Sequence, residues 1–244
     1  MEERLDKILV NRGLISTRVR AEKMIEETGV KVNGKLITKP GKKFMSDIAI
    51  ELIEEEIPWV SRGALKLIKA LDHWNIDVTN KIAIDLGAST GGFTEVLLSK
   101  GIQKVFSVDV GTDQLHARIK ENEKVIDLQK THVRELTNHL ITDVVDIVVI
   151  DVSFISLEKV FPFLHPFLSN DATIVALVKP QFEVGKENIS KGGIVKNQKL
   201  YPQVIENVKN YALRSNLTYQ DHIESPLLGG DGNREFLMWL KKNN

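Results

Sequence analysis

The sequence predicts an α/β protein, an open and mostly parallel sheet with helices on both faces, preceded by a small basic α+β module. Three observations predict it. Five apolar runs, KIAIDLG (81–87), KVFSVDV (104–110), VIDLQK (125–130), DIVVIDV (146–152) and TIVALVKP (173–180), alternate with stretches at helical spacing. Continuous apolar strands between helices mean a parallel sheet covered on both sides. The first run breaks into Gly87-Ala88-Ser89-Thr90-Gly91-Gly92 and resumes as a helix from Phe93, the strand–turn–helix element found at the ligand edge of such sheets. Finally, residues 1–46 carry 11 Lys and Arg against 6 Asp and Glu, while the remaining 198 carry 22 against 27. The zero formal charge therefore hides a basic N-terminus suited to a polyanion.

Composition narrows the function classes. A chain of 244 residues can bury one large core, or a core plus a small appendage. It has no run of 18 apolar residues to span a bilayer. The opening MEERLDKILV is charged and lacks the apolar centre of a secretion signal, so a cytoplasmic location is expected. The absence of cysteine excludes disulfides, thiolate metal sites and cysteine nucleophiles. The six histidines show no H-x-x-x-H spacing, and no metal is expected. A monomer is the expected state.

In chain order, Leu5, Ile8 and Leu9 mark a helix over 3–12 that Gly13 stops. Ser16 or Thr17 caps a second helix that runs to Gly29. Val30–Val32 and Lys35–Ile37 form a hairpin on the type I′ turn Asn33-Gly34, and Ile48, Ile50 and Leu52 alternate as a last strand. The module is expected over 1–50, a linker over 51–60 through Glu54-Glu55-Glu56 and Pro58, and a second domain over 61–244. Ser61 is positioned to cap a helix from Arg62 to His73, with Arg62 and Lys66 four apart on one face. Further helices are expected near 91–100, 112–121, 156–168 and 198–212, with two final strands joined through Gly229-Gly230-Asp231-Gly232-Asn233.

The glycine pattern D-x-G-x-x-x-G-G is not the G-x-G-x-x-G of a dinucleotide fold, since Ser89 stands two after Gly87. It lets backbone pass close to a nucleoside and a charged amino-acid tail without cradling a pyrophosphate, a shape that fits S-adenosylmethionine. Asp85, Gly87, Ala88, Ser89, Gly91, Gly92 and Phe93 are the candidate cofactor residues. Asp109, which ends the second strand, is placed to accept both ribose hydroxyls. Asp151 ends the fourth strand and joins this set, because a carboxylate buried there needs a partner. Lys179 ends the fifth strand and Glu235 opens the last.

Two resemblances follow from these residues. T-R-V-R-A-E-K-M-I-E-E-T-G-V-K-V-N-G (Thr17 to Gly34) resembles the core of the S4 RNA-binding domain. It implies structured RNA held through phosphates and shape, with Arg4, Arg18, Arg20, Lys23, Lys31 and Lys35, joined by Arg62, as candidate contacts. Lys66, Asp151, Lys179 and Glu235 match the Lys-Asp-Lys-Glu tetrad of FtsJ-like ribose 2′-O-methyltransferases. With W-V-S-R-G-A-L-K-L, D-L-G-A-S-T-G-G-F, D-V-S-F-I-S-L, L-V-K-P-Q-F-E and G-G-D-G-N-R-E-F, nearly the whole chain resembles the TlyA, or haemolysin A-like, family.

The family implies a Rossmann-like methyltransferase sheet behind an S4 domain. It also implies S-adenosylmethionine as donor, ribosomal RNA or ribosomal subunits as partner, and methylation of cytidine 2′-hydroxyls in 16S and 23S RNA without a metal. A ribose hydroxyl must lose its proton as it attacks, and a lysine can take it only with a lowered pKa, which a second ammonium and partial burial favour. Lys179 is assigned as base or hydroxyl-orienting group and Lys66 as the neighbouring charge, with Asp151 and Glu235 holding them. One stretch departs from the family. Where an acid is expected near the adenine amino group stands Gln129-Lys130-Thr131-His132, with Asp127 earlier in the strand, so backbone or Thr131 takes that place. The loop 181–197, with Lys186, Lys191 and Lys196, is expected to be mobile and to close over RNA and cofactor. Two competing readings are a membrane-damaging haemolysin, which needs an amphipathic or spanning segment, and an RNA-binding protein with an inactive methyltransferase-like domain.

Overall fold

The computed structural model describes residues 2–53, 57–230 and 232–243, so Glu54, Glu55 and Glu56 of the expected linker and Asp231 of the glycine turn lie outside the described residues. The chain divides into two compact units, one ending at Pro58 and one beginning at Trp59.

In the first unit, β1 (Glu2–Arg4) leads into α1 (Leu5–Asn11) and α2 (Arg18–Glu27), followed by β2 (Val30–Val32), β3 (Lys35–Ile37), β4 (Lys43–Met45) and β5 (Ile50–Leu52). Thr17 caps α2 by accepting from the Arg20 amide at 3.3 Å. Asn33 and Gly34, both left-handed, form the predicted hairpin turn, and β2 pairs antiparallel with β3 and β5. The β1–β4 pair was not predicted, because three residues carry no periodicity and only the distant partner defines the strand. β5 runs into the first two positions of the expected linker. Leu5, Leu9, Ile15, Ala21, Ile25 and Val30 form this unit's core.

At its edge Asp6 is fully buried between Arg4 at 2.7 Å and Arg18 at 3.1 Å, and both guanidiniums also reach Glu22. The Arg4 hydrogen bond holds the Asp6 carboxyl far below the ordinary range. A depressed carboxylate contributes stability that is present above its unfolded value of about 4 and is lost as pH falls toward the folded one. Acidification below about pH 4 is therefore expected to melt this unit. Asp6→Asn should flatten that dependence in thermal denaturation across pH; equal acid sensitivity in the variant would contradict the assignment.

The second unit contains α3 (Ala64–His73), β6 (Ile82–Leu86), α4 (Gly92–Ser99), β7 (Lys104–Val108), α5 (Ala117–Lys120), β8 (Val125–Leu128), β9 (Val145–Ile150), β10 (Leu168–Val178), α6 (Tyr201–Arg214), β11 (Leu217–Glu224) and β12 (Phe236–Lys242). Its seven-stranded sheet has the order β11-β12-β10-β9-β6-β7-β8. The five strands from β10 to β8 are parallel, and β12 and β11 are antiparallel additions at one edge. Successive residues go to opposite faces. Ile84, Val148, Ile150, Ala176 and Met238 pack under α6, whereas Ala83, Ile147, Val149, Leu177 and Leu237 pack under α3 and α4. From β6 the chain winds outward to β7 and β8 and then returns to β9, so the crevice between the carboxyl ends of β6 and β9 is the topological switch point.

Four expectations change. The 156–168 stretch is a series of 3₁₀ turns, since Pro162 and Pro166 remove the amides an α-helix needs. The helix expected over 112–121 shortens to α5, because Asp113 is left-handed and its amide donates to Gln129 at 2.8 Å. α3 starts at Ala64 behind Gly63, so exposed Arg62 sits in the preceding turn and does not share a helical face with buried Lys66. Loop 181–197, expected to be mobile, is tied down: buried Asn233 accepts from the Val195 amide and donates to the Gly193 carbonyl, and Ile189 bridges Val195.

Candidate active site

The glycine turn is shaped by what lies behind it. Gly87 is left-handed at φ 82°, and a Cβ built on it would stand 2.4 Å from the Asp151 carbonyl oxygen. The ends of β6 and β9 thus touch backbone to backbone, joined by the Asp151 amide donating to the Leu86 carbonyl at 2.9 Å. Gly91, at φ 94°, delivers the chain into α4, and a side chain on Gly92 would collide with Ser61. Exposed Ser89 is left-handed, and buried Ala88 closes the turn by accepting from the Gly91 amide at 2.7 Å.

Asp109 accepts from the Ser89 amide at 2.8 Å and from the Gly111 amide at 2.7 Å, so it first braces the glycine turn. Each oxygen keeps a lone pair for a hydroxyl. Asp85 does not face the crevice. It is fully buried and accepts from Thr94 Oγ1 at 2.7 Å, and burial, with Asp151 and Asp109 adding to it, pushes its carboxyl up to about 7. Phe93 is also turned inward, packed with Val96, Leu97 and the β6 core. Both support the turn from beneath. Asp85 Oδ1 is buried without a hydrogen-bond partner; the side-chain-free backbone at Gly87 with the carboxylate of Asp109 fits a nucleoside-bearing cofactor.

Sheet register gathers the tetrad. Ala176 pairs Ile150 and Val178 pairs Phe236, so Asp151 and Glu235 stand at the two strands flanking the end of β10, where Lys179 emerges. Lys179 Nζ lies 2.7 Å from Asp151 Oδ1 and donates to Ser153 Oγ at 2.8 Å. The Asp151 approach is an ion pair rather than an aligned hydrogen bond, and Oδ1 retains acceptor capacity. Lys66, on the first turn of α3, donates to Glu235 at 2.6 Å in an almost fully buried pair. Gly63, whose carbonyl accepts from the Lys66 amide, is set so that its Cβ would lie 3.9 Å from Asp151 Oδ2, which places the start of α3 beside Asp151.

Sequence reasoning missed three residues here. Ser153 could have been found, since two residues after Asp151 on extended chain means the same side. Thr94, which links Asp85 to Ser107, could not. Phe154 could not either: it is 92% exposed with φ 63°, a conformation sequence does not announce, and its ring lies 5.3 Å from Phe182. In the stretch where the adenine contact is expected, Thr131 donates to the Gln129 carbonyl and Asp127 pairs with Lys120.

The predicted RNA contacts divide. Arg4 and Arg18 are committed to Asp6 and Glu22, and Lys31 pairs with Glu51 at 2.7 Å. Arg20 reaches the Ile57 carbonyl at 3.3 Å, while Lys23, Lys35 and Arg62 are exposed. A separate cleft of about 430 Å³ opens beside Tyr201, His222 and Phe236. Its cations Lys209 and Arg234 are each held by a glutamate, Glu206 and Glu224, so it offers phosphate no net positive charge. Among the described residues no group of three or more His, Cys, Asp or Glu could hold a metal ion, and no helix is long and apolar enough to cross a membrane.

The seven-stranded switch-point sheet, with its two antiparallel strands at one edge, has the fold of methyltransferase structures. The chain belongs to the FtsJ-like methyltransferase family, whose model matches residues 59–242, and it carries an S4 domain over residues 3–44. It is 41% identical over 239 residues to the 16S/23S rRNA (cytidine-2′-O)-methyltransferase TlyA of Mycobacterium tuberculosis, covering 98% of this chain and 89% of that one. It is 34% identical over 235 residues to hemolysin A of Brachyspira hyodysenteriae, covering 96% and 98%. A solved structure of a hemolysin candidate from Streptococcus thermophilus superposes with a TM-score of 0.79 at 38% identity, covering 100% of this chain and 89% of that one.

Proposed function

We propose that this enzyme methylates the 2′-hydroxyl of a cytidine in ribosomal RNA of the 16S or 23S type, with S-adenosylmethionine as donor. The observation that supports the reading is the two ion pairs Lys66–Glu235 and Lys179–Asp151, whose strand-borne members stand at the carboxyl edge of β9 and β10. Gly87, Ala88, Ser89, Gly91 and Gly92 would hold the cofactor by backbone, and Asp109 by its carboxylate. The cofactor supplies an activated methyl group. Lys179, its Nζ directed by Asp151 and Ser153, orients the attacking ribose hydroxyl, and only its neutral amine form takes up the departing proton. Lys66 and Glu235 form a buried pair of no net charge, whose fixed dipole is the contribution assigned to it at the reacting centre. Ribose methylation also needs the target nucleotide out of its stack, and RNA-binding sites receive such bases on aromatic rings. Exposed Phe154 beside Ser153 supplies that ring. Arg4, Arg18, Arg20, Lys23, Lys31, Lys35 and Arg62 are the cations assigned to RNA phosphates.

Mapping 2′-O-methylation on ribosomal RNA from cells with and without the protein tests the reading: loss of a cytidine mark is expected, and an unchanged map overturns it. Phe154→Ala is expected to weaken productive RNA binding by about 10- to 100-fold in kcat/KM, the worth of one base–aromatic stack. Cofactor affinity should be untouched in calorimetry. A variant as active as wild type would take Phe154 out of the site.

A further inference from the structure

We propose that Glu183 is a positioning residue for methyl transfer, strapping the segment that carries Asp151, Ser153 and Phe154 to the one that follows Lys179; this rests on the function proposed above. These two segments leave neighbouring parallel strands, β9 and β10, and meet twice. The first meeting is Lys179 with Asp151 and Ser153. The second lies farther along each chain. Glu183 Oε2 accepts from Ser156 Oγ at 2.6 Å and Oε1 accepts from the Leu157 amide at 2.9 Å. Ser156 Oγ in turn caps the 3₁₀ turn Leu157–Lys159 by accepting from the Glu158 amide at 3.1 Å, so Glu183 also fixes that cap's rotamer.

The chemistry of the strap argues for precision over bulk. Both donors to Glu183 are neutral, and burial pushes the carboxyl up to about 7, opposed by the two bonds it accepts. A carboxyl held among neutral groups is costly beside an aliphatic side chain of like volume, which would pack there without desolvation. What an aliphatic residue cannot do is hold two donors at fixed angles. Between the two meeting points lies Phe154, an aromatic residue at positive φ, a strained conformation that persists only when its surroundings enforce it. One side is set by Ser153 on Lys179, the other by Ser156 on Glu183, and the ring leans on Phe182, the residue before Glu183. Loosening the strap frees Phe154 and Ser153 together while leaving Lys179 and the glycine turn in place.

The test uses the full-length protein with ribosomal subunits from cells lacking it. Glu183→Ala is expected to lower single-turnover kcat by about 10- to 100-fold, the scale of a misplacement near 1 Å. S-adenosylmethionine affinity in calorimetry should stay at the wild-type value. Glu183→Gln, which keeps one acceptor, should recover part of the rate. Ser156→Ala should show a smaller loss, and Ser156→Ala combined with Glu183→Ala should be no slower than Glu183→Ala alone, because the two share a bond. If Glu183→Ala fails to fold, the decision passes to Ser156→Ala and Glu183→Gln. Wild-type rates in the folded variants overturn the inference, as does loss of cofactor affinity in proportion to rate. Wild-type protein that methylates no ribose overturns the proposed function and this inference with it.

Discussion

Lys179→Ala is expected to lower the methyl-transfer rate by about 10²- to 10⁴-fold, the range removed with a general base, while S-adenosylmethionine still binds. The lysine sits at the end of β10 with its Nζ 2.7 Å from Asp151 and 2.8 Å from Ser153. Truncation removes the proton acceptor and leaves the backbone cradle at Gly87 and Gly91 unchanged. It also leaves Asp151 without its cation, and breaking such a pair destabilises by up to about 3–5 kcal/mol when it is buried. Thermal denaturation of the variant must therefore accompany the assay. Single-turnover kinetics separate the losses: lost chemistry with retained fold and cofactor binding is the expected pattern. Turnover retained at the wild-type rate removes Lys179 from the mechanism.

Gly87→Ala should be at least as damaging by a different route. Its left-handed φ of 82° costs an L residue roughly 1–2 kcal/mol. The new methyl would lie 2.4 Å from the Asp151 carbonyl oxygen and 2.8 Å from its carbon. Those are main-chain atoms that no rotamer change can move, and forced overpacking costs about 1–3 kcal/mol more. A loss on the order of 10 °C in melting temperature is expected for a unit of this size, together with loss of cofactor binding, since β6 and β9 are pushed apart where the crevice opens. Gly230→Ala is the control, because a side chain there meets nothing and its φ is ordinary. Equal melting temperatures for the two variants would contradict this account.

The parallel strands were legible because each is a run of buried apolar residues between polar turns, and the strand-end places of Asp151, Lys179 and Glu235 because each borders such a run. The hairpin at Asn33-Gly34 was legible because few residue pairs accept two left-handed conformations in succession. The prolines at 162 and 166 were visible, yet helical spacing of the apolar residues around them masked their effect. Charge counts in the first unit do not announce pairing: Asp6 is buried between Arg4 and Arg18, a contact set by the fold.

The sequence by itself determined the alternation of strands and helices, the glycine turn and the residue types needed to hold a nucleoside and take a proton. Those properties are local, set by periodicity and by what glycine and strand-end carboxylates permit. Only the tertiary structure decided which cation each carboxylate serves, since Lys66 meets Glu235 across 169 positions by the packing of α3 on the sheet and Lys179 meets Asp151 across 28 by the β9–β10 register. It also decided that Asp85 and Phe93 turn beneath the cradle and that Phe154 stands out in solvent, because side-chain direction at a strand end depends on backbone torsions that neighbouring segments impose.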